Sequence, residues 1–319
     1  MKTSVTLCTY NGAKYIAEQI ESILAQTTSP NEIIICDDGS IDNTIEILKR
    51  YKEKYPDIIK LYRNDQNLKV IKNFEKAISL CTGDIIFLSD QDDIWFPNKI
   101  KEVINFFEKH PDIGACFHNL QLIKLGELSE DTVWDAILLK KNILDFVFEK
   151  NKLVEYILKY NNILTGAALA IKKEIVNHIL PLDERLIHDY QIALKLGIRN
   201  EITFIPKILG AYRIHENQQI GVGKLLSKKD KEKSIKEYIE GIEDIELEIK
   251  YLLTALEKAQ EYSCFIPELS DYVDFFKSKI KNSKIDFFKK TTYIQKKKTL
   301  FRWYRYKFLN TSLLDVLIK

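Results

Sequence analysis

Strand-like and helix-like segments alternate four times in the first ninety residues, and that alternation narrows the fold more than any other feature of the 319-residue chain. Val5-Thr6-Leu7-Cys8 reads as a strand stopped by Asn11-Gly12, and Ala13 to Leu24 then sets Ile16, Ile20, Ile23 and Leu24 at helical spacing. The plan repeats: Ile33 to Cys36 is a strand, Asp37-Asp38-Gly39-Ser40 a turn, and Asp42 to Tyr55 a helix that Asp42 can cap. Ile58 to Tyr62, Val70 to Leu80 and Asp84 to Leu88 continue as strand, helix and strand. Alternation at this spacing builds an α/β domain with a parallel sheet and right-handed crossovers.

The fourth strand delivers Ser89-Asp90-Gln91-Asp92-Asp93-Ile94-Trp95 to its carboxyl end, the edge at which open α/β sheets bind ligands. Three carboxylates in four residues repel one another unless a cation or a hydrogen-bonded ligand relieves them, and their hard oxygens suit Mg2+ or Mn2+. A calcium loop is excluded by spacing, because Trp95 stands where that loop needs a glycine. Asp37-Asp38-Gly39-Ser40 lacks the second acid of a D-x-D phosphatase, and by itself it reads equally as an Asx-type turn before a helix. Asp189, taken alone, reads as a helix-capping residue.

Further on, Lys99 to His110 is expected as a helix, Ile113 to His118 and Thr165 to Ile171 as strands, Asp183 to Leu196 as a helix and Glu201 to Ile205 as a strand. The stretches Val133 to Phe148 and Lys152 to Tyr160 are amphipathic and suit a lid or acceptor wall. The sheet domain is expected to span residues 1–220. Residues 221–319 would form a helical extension, with Ile235, Ile242, Ile245, Ile249, Leu252 and Leu256 as an apolar seam.

Thr9-Tyr10-Asn11-Gly12, Asp37-Asp38-Gly39-Ser40, Gly83-Asp84 and Asp90-Gln91-Asp92-Asp93-Ile94-Trp95, in this order and spacing, resemble the family 2 glycosyltransferases of GT-A fold. That fold is Rossmann-like, a mostly parallel sheet flanked by helices. The resemblance covers residues 1–220 and is nearest to bacterial members that build surface polysaccharides, rhamnosyltransferases among them. It implies an inverting, metal-dependent enzyme that moves a sugar from a UDP- or dTDP-sugar onto a glycan or lipid-linked oligosaccharide. Position by position, it implies that Thr9, Tyr10 and Asn11 flank the nucleotide and that Asp38 pairs with the base. Arg63 would contact the nucleotide, Asp90 the ribose and Asp92 the Mn2+ or Mg2+, with Gln91 and Asp93 beside the donor. In His188-Asp189-Tyr190, Asp189 would be the general base. Tyr212-Arg213-Ile214-His215 resembles the family's Y-R-x-H string, implying that Arg213 and His215 meet the diphosphate across from the metal. Asn67-Leu68-Lys69 departs from the family, which often has glycine there.

A nucleotidyltransferase would open with a Gly-rich, basic phosphate loop, which Thr9 to Gly12 is not. A non-catalytic sugar-nucleotide or glycan-binding subunit would have no need of both Asp92 and Asp189. The net charge of +2 conceals segregation, since residues 275–319 hold 13 Lys and Arg against 2 Asp and Glu. Basic and aromatic residues interleave over 277–308, which predicts contact with an anionic membrane surface and, without a reader motif, no nucleic-acid partner. A second copy of the chain could dock through the 235–256 helix. The five cysteines form no C-x-x-C pair and read as reduced, and no run of eighteen apolar residues occurs. The expected location is cytoplasmic, with peripheral contact on the inner face of the cell membrane.

Overall fold

The computed structural model describes residues 1–216 and 245–294, with side chains described over 247–284 in the second segment. β1 (Thr3–Thr9) and β2 (Glu32–Asp37) are buried at every position, the signature of strands covered on both faces. With β3 (Ile59–Arg63) and β4 (Ile85–Ser89) they form the parallel half of a nine-stranded sheet. Helices α1 (Ile16–Leu24), α2 (Thr44–Lys54) and α3 (Lys69–Leu80) follow the first three strands. The alternation therefore folds as its spacing predicts. In register, Thr9 lies beside Asp37 and Asp37 beside Arg63, which aligns the carboxyl ends of β1, β2 and β3 along one edge.

The second half of the sheet is mixed. β5 (Ile94–Trp95), α4 (Lys99–Lys109), β6 (Ala115–Lys124), β7 (Glu127–Thr132), α5 (Val133–Ala136), α6 (Lys141–Glu149) and α7 (Leu153–Lys159) precede a 3-10 turn, Gly166–Ala168. β8 (Leu169–Lys172), α8 (Val176–Ile179), α9 (His188–Arg199) and β9 (Ile202–Arg213) complete the unit. The strand order is β3-β2-β1-β4-β8-β6-β9-β5, with β7 paired to β6. β4 meets β8, and β8 meets β6, antiparallel, while β6 and β9 run parallel.

Several boundaries differ from the sequence expectation. The Val133 to Phe148 stretch breaks into α5 and α6, and Thr165 to Ile171 is a 3-10 turn before a shorter strand. α9 begins at His188 rather than Asp183, because residues 183–187 form a loop. There Asp183 holds the Arg185 guanidinium, and the Gln191 amide donates to the Asp183 carbonyl. Strand β9 runs well past Ile205, and Lys69 takes a left-handed φ of 63° where the family often has glycine. The Lys69 N–H donates to Asn67 Oδ1, which holds that strained turn in place.

The parallel strands are fastened at their amino ends by Glu32. Its carboxylate accepts from Ser4 Oγ (2.6 Å), the Thr82 N–H (2.6 Å), Thr82 Oγ1 (2.8 Å) and Lys60 Nζ (2.5 Å). Burial alone would raise its pKa, but these bonds outweigh burial and bring it down to about 2. A folded pKa below the unfolded one stabilises above the unfolded value, and that contribution is lost as pH falls toward 2. Glu32→Gln is expected to cost about 2–3 kcal/mol at pH 7. In urea unfolding, the gap from wild type should narrow steadily between pH 5 and pH 2.

Four cysteines, Cys8, Cys36, Cys81 and Cys116, are buried thiols, and Cys264 is exposed. His118 and His178 are structural, bonded to the Asn119 carbonyl and to Glu201.

The chain divides into one compact unit of residues 1–157 with 161–239 and a second of 158–160 with 240–319. In the second, α10 (Ile245–Ser263) packs against α11 (Ser270–Ile294). Ile249, Leu252 and Leu256 are buried within the chain, so this part of the expected seam is already covered and not free to receive a second copy. Its upstream part, 235–244, lies outside the described residues, as do 295–308 of the basic aromatic stretch. No helix among the described residues is long and apolar enough to cross a membrane.

Candidate active site

The acid loop leaves β4 and is pinned at its far end by β5, which pairs antiparallel with the end of β9. Ile94 lies opposite Ala211 and Trp95 opposite Gly210, so Tyr212 and Arg213 arrive beside residues 91–93. The Arg213 N–H donates to Asp93 Oδ1 (3.1 Å) and Arg213 Nε to the Asp92 carbonyl (2.8 Å), while Nη2 donates to Glu18 (2.5 Å). The guanidinium is also 4.7 Å from the centre of the Tyr15 ring. His215 Nε2 lies 2.8 Å from Asp92 Oδ2, with its ring against Tyr15.

The Y-R-x-H string therefore lies against the acid loop. Arg213, 7% exposed, braces the acid loop from within, and His215 lies against Asp92, the acid expected at the cation. The physical reason is the β5–β9 pairing, which carries the string onto the loop.

Several residues expected at the nucleotide are committed to the protein. Thr9, 2% exposed, donates its hydroxyl to Asp37 Oδ1 (3.0 Å). Gln91 turns its amide to the backbone of Tyr10, accepting from its N–H (2.9 Å) and donating to its carbonyl (3.1 Å). Gly12 permits that stitch, since a Cβ there would lie 2.2 Å from Gln91 Oε1. Asp38, 3% exposed, anchors the 64–68 loop by accepting from Asn64 Nδ2 (2.8 Å) and the Leu68 N–H (2.7 Å) on one oxygen, Oδ1.

Other residues remain open to a ligand. Tyr10 is 39% exposed at this edge. Asn11 joins the first two loops, its N–H donating to Ser40 Oγ and its Oδ1 accepting from the Ile41 N–H. Arg63 is exposed, 3.9 Å from Asp37 and bonded to the Ser40 carbonyl.

Burial first, and then the neighbouring carboxylates, push the acid loop's pKa values up. For Asp90 the neighbours are Asp92 and Asp189, and for Asp93 they are Asp92 and Asp90. Asp189, in the first turn of α9, thus faces the acid loop closely enough for its charge to act on Asp90. Its Oδ2 accepts from the Gly166 N–H (3.2 Å). Burial pushes its carboxyl up to about 6, although bonds from Gly166, Tyr190 and Asn162 pull it down. Two carboxyl groups from separate elements are therefore both held up toward neutrality, Asp90 at about 7 and Asp189 at about 6.

Sequence reasoning missed Glu18, Asn64, Lys99, Asn162 and Gly166. Lys99 carried a signal, since a cation in the first turn of a helix opposes the helix dipole.

A divalent cation fits these residues. Asp92 and His215 present an oxygen and a nitrogen donor within 2.8 Å of each other, beside two acids that burial first and neighbouring carboxylates second hold up. Among the described residues no group of three His, Cys, Asp or Glu side chains forms a complete metal site. The protein would thus supply two donors and a substrate's phosphates the others.

Residues 4–126 match the family model described as Glycosyl transferase family 2. The dTDP-rhamnosyl transferase RfbG of Shigella flexneri is 30% identical over 223 residues, covering 67% of this chain and 73% of RfbG. A glycosyltransferase of Nostoc is 29% identical over 222 residues, and the match spans 65% of its length, so the chain covers less than two thirds of that relative. The fold is that of Staphylococcus aureus TarS 1-349 in complex with UDP-GlcNAc, with a TM-score of 0.53 at 18% identity over 83% of this chain and 73% of that one. It is equally that of the mannosyltransferase PcManGT of Pyrobaculum calidifontis in complex with GDP-Man and Mn2+, with a TM-score of 0.53 at 17% identity over 85% and 69%. With the acid loop at the carboxyl edge of the sheet and a relative at this identity and coverage, the chain belongs to glycosyltransferase family 2.

Proposed function

We propose that this glycosyltransferase moves a sugar, with inversion, from a UDP- or dTDP-sugar to a hydroxyl of a growing, lipid-linked cell-surface glycan. The observation that carries the reading is Asp189, a carboxylate poised near neutrality and facing Asp90 across the crevice. An acceptor hydroxyl is a weak nucleophile at neutral pH. Asp189 takes its proton as the oxygen attacks the anomeric carbon from the face opposite the leaving diphosphate. Asp92 and His215 would hold Mn2+ or Mg2+, which would supply positive charge against that growing on the nucleoside diphosphate. Asp90 binds on the ribose side. Asp38 Oδ2, which accepts no bond among the described residues, is the atom left for the base, and the exposed Tyr10 is the ring to flank that base.

The likeness to a dTDP-rhamnosyl transferase makes dTDP-rhamnose the first donor to test. Release of nucleoside diphosphate from a panel of UDP- and dTDP-sugars, with and without Mn2+, checks the reading. Metal-dependent release from one donor class is the expected result, and no release from any donor contradicts it. The basic stretch 277–308 is proposed to rest on the anionic leaflet that displays the acceptor. Failure to pellet with phosphatidylglycerol vesicles would remove that part.

A further inference from the structure

Lys99 stands where a lysine is costly on two counts. It is the first residue of α4, where the positive end of the helix disfavours a cation, and it is 1% exposed. Burial pushes its ammonium down to about 7, against the pull of Asp93 and Asp90. Positions that break local rules in this way are expected where a group has a use.

The contacts of Lys99 lead in two directions. Nζ lies 3.9 Å from the centre of the Trp95 ring, and Trp95 belongs to β5, which closes the acid loop. The same Nζ donates to the Ala167 carbonyl (2.8 Å). Ala167 sits in the 3-10 turn that begins at Gly166, whose N–H donates to Asp189. That turn has little freedom elsewhere, because a Cβ on Gly166 would lie 2.8 Å from His188 Nε2, and His188 is stacked on Phe74.

Charge points the same way. Asp93 Oδ2 is buried and has no hydrogen-bond partner among the described residues, and Lys99 and Asp93 act on each other's charge. Arg213 is directed to Glu18 and the Asp92 carbonyl, whereas the charge of Lys99 acts on both Asp90 and Asp93.

We propose that Lys99 is a positioning residue that ties the acid loop, from the core side, to the Gly166–Ala168 turn and so keeps Asp189 in register with Asp90. Its effect on rate rests on the reading of Asp189 as the base; the tie itself does not.

Amide hydrogen exchange read by mass spectrometry on the full chain tests the tie without turnover. Lys99→Met keeps the unbranched side chain to within one atom and removes the charge and the donor. Exchange across residues 165–169 should speed up at least tenfold, while β1 to β3 stay as in wild type. On a donor that wild type consumes, kcat should fall at least tenfold with the donor KM within threefold. Unchanged exchange across 165–169 overturns the proposal. So does equal acceleration in every strand, which marks a packing residue alone. If Lys99→Met does not fold, Lys99→Gln, uncharged and ending one atom short of Nζ, is read in the same way. Full activity in Asp189→Asn would instead sink the base assignment and leave the exchange result standing.

Discussion

Asp189→Asn is expected to lower sugar transfer by about 10²–10⁴-fold, the range by which a positioned general base accelerates proton transfer. The variant keeps an oxygen for the Gly166 N–H, so the loss reports the missing base rather than a collapsed turn. In wild type the rate should climb with pH through about 6 and level off above it, because burial holds the Asp189 carboxyl there and only the ionised form accepts a proton. The groups facing it are Asp90 and Tyr212, the Gly166 and Tyr190 N–H groups, the Asn162 side chain and His188, which burial keeps neutral at this pH. A carboxyl whose folded pKa is raised above its unfolded value costs stability as pH rises through that interval. Asp189→Asn should therefore be more stable than wild type at pH 8, by about 1–2 kcal/mol. Thermal unfolding at pH 4 and pH 8 checks the sign. Lower stability at pH 8 would mean that the carboxylate is structural.

The second large effect is expected at Asp92 and His215. Asp92→Ala removes the carboxylate of the donor pair, and the Mn2+ concentration for half-maximal donor cleavage should rise at least about 100-fold; His215→Ala should raise it by about 10–100-fold. The two losses should be less than additive, because each variant leaves the other donor half of a pair only 2.8 Å apart. Paramagnetic resonance of free Mn2+ reads the affinity directly. Strict additivity, or an unchanged requirement in His215→Ala, would place His215 away from the ion.

The parallel half of the sheet was legible because β1, β2 and β4 are short apolar runs, each stopped by turn residues and each buried on both faces. β9 was not legible beyond Ile205. It passes through Pro206 and Gly210, which interrupt any local strand pattern, and its register against β6 shifts between His118 and Asn119. That one long strand decides where Arg213 and His215 stand, so their position depended on a pairing of residues more than a hundred apart. β7, Glu127–Thr132, is a largely exposed edge strand without an apolar face, and only Gly126 in the preceding turn marked its hairpin. The place of the acid loop at the end of β4 could be read in advance from motif order. Whether a side chain such as Thr9 or Gln91 faces a ligand or its own backbone is set by neighbouring loops, which motif order does not report.

The central claim is a division of labour, with the acid loop holding the nucleotide and its cation while Asp189 acts only on the acceptor. Calorimetric titration of UDP and dTDP with Mn2+ into wild type, Asp92→Ala and Asp189→Asn tests it most directly. The account predicts binding weakened at least tenfold in Asp92→Ala and held within threefold of wild type in Asp189→Asn. Wild-type affinity in Asp92→Ala, or a tenfold loss in Asp189→Asn, would contradict it.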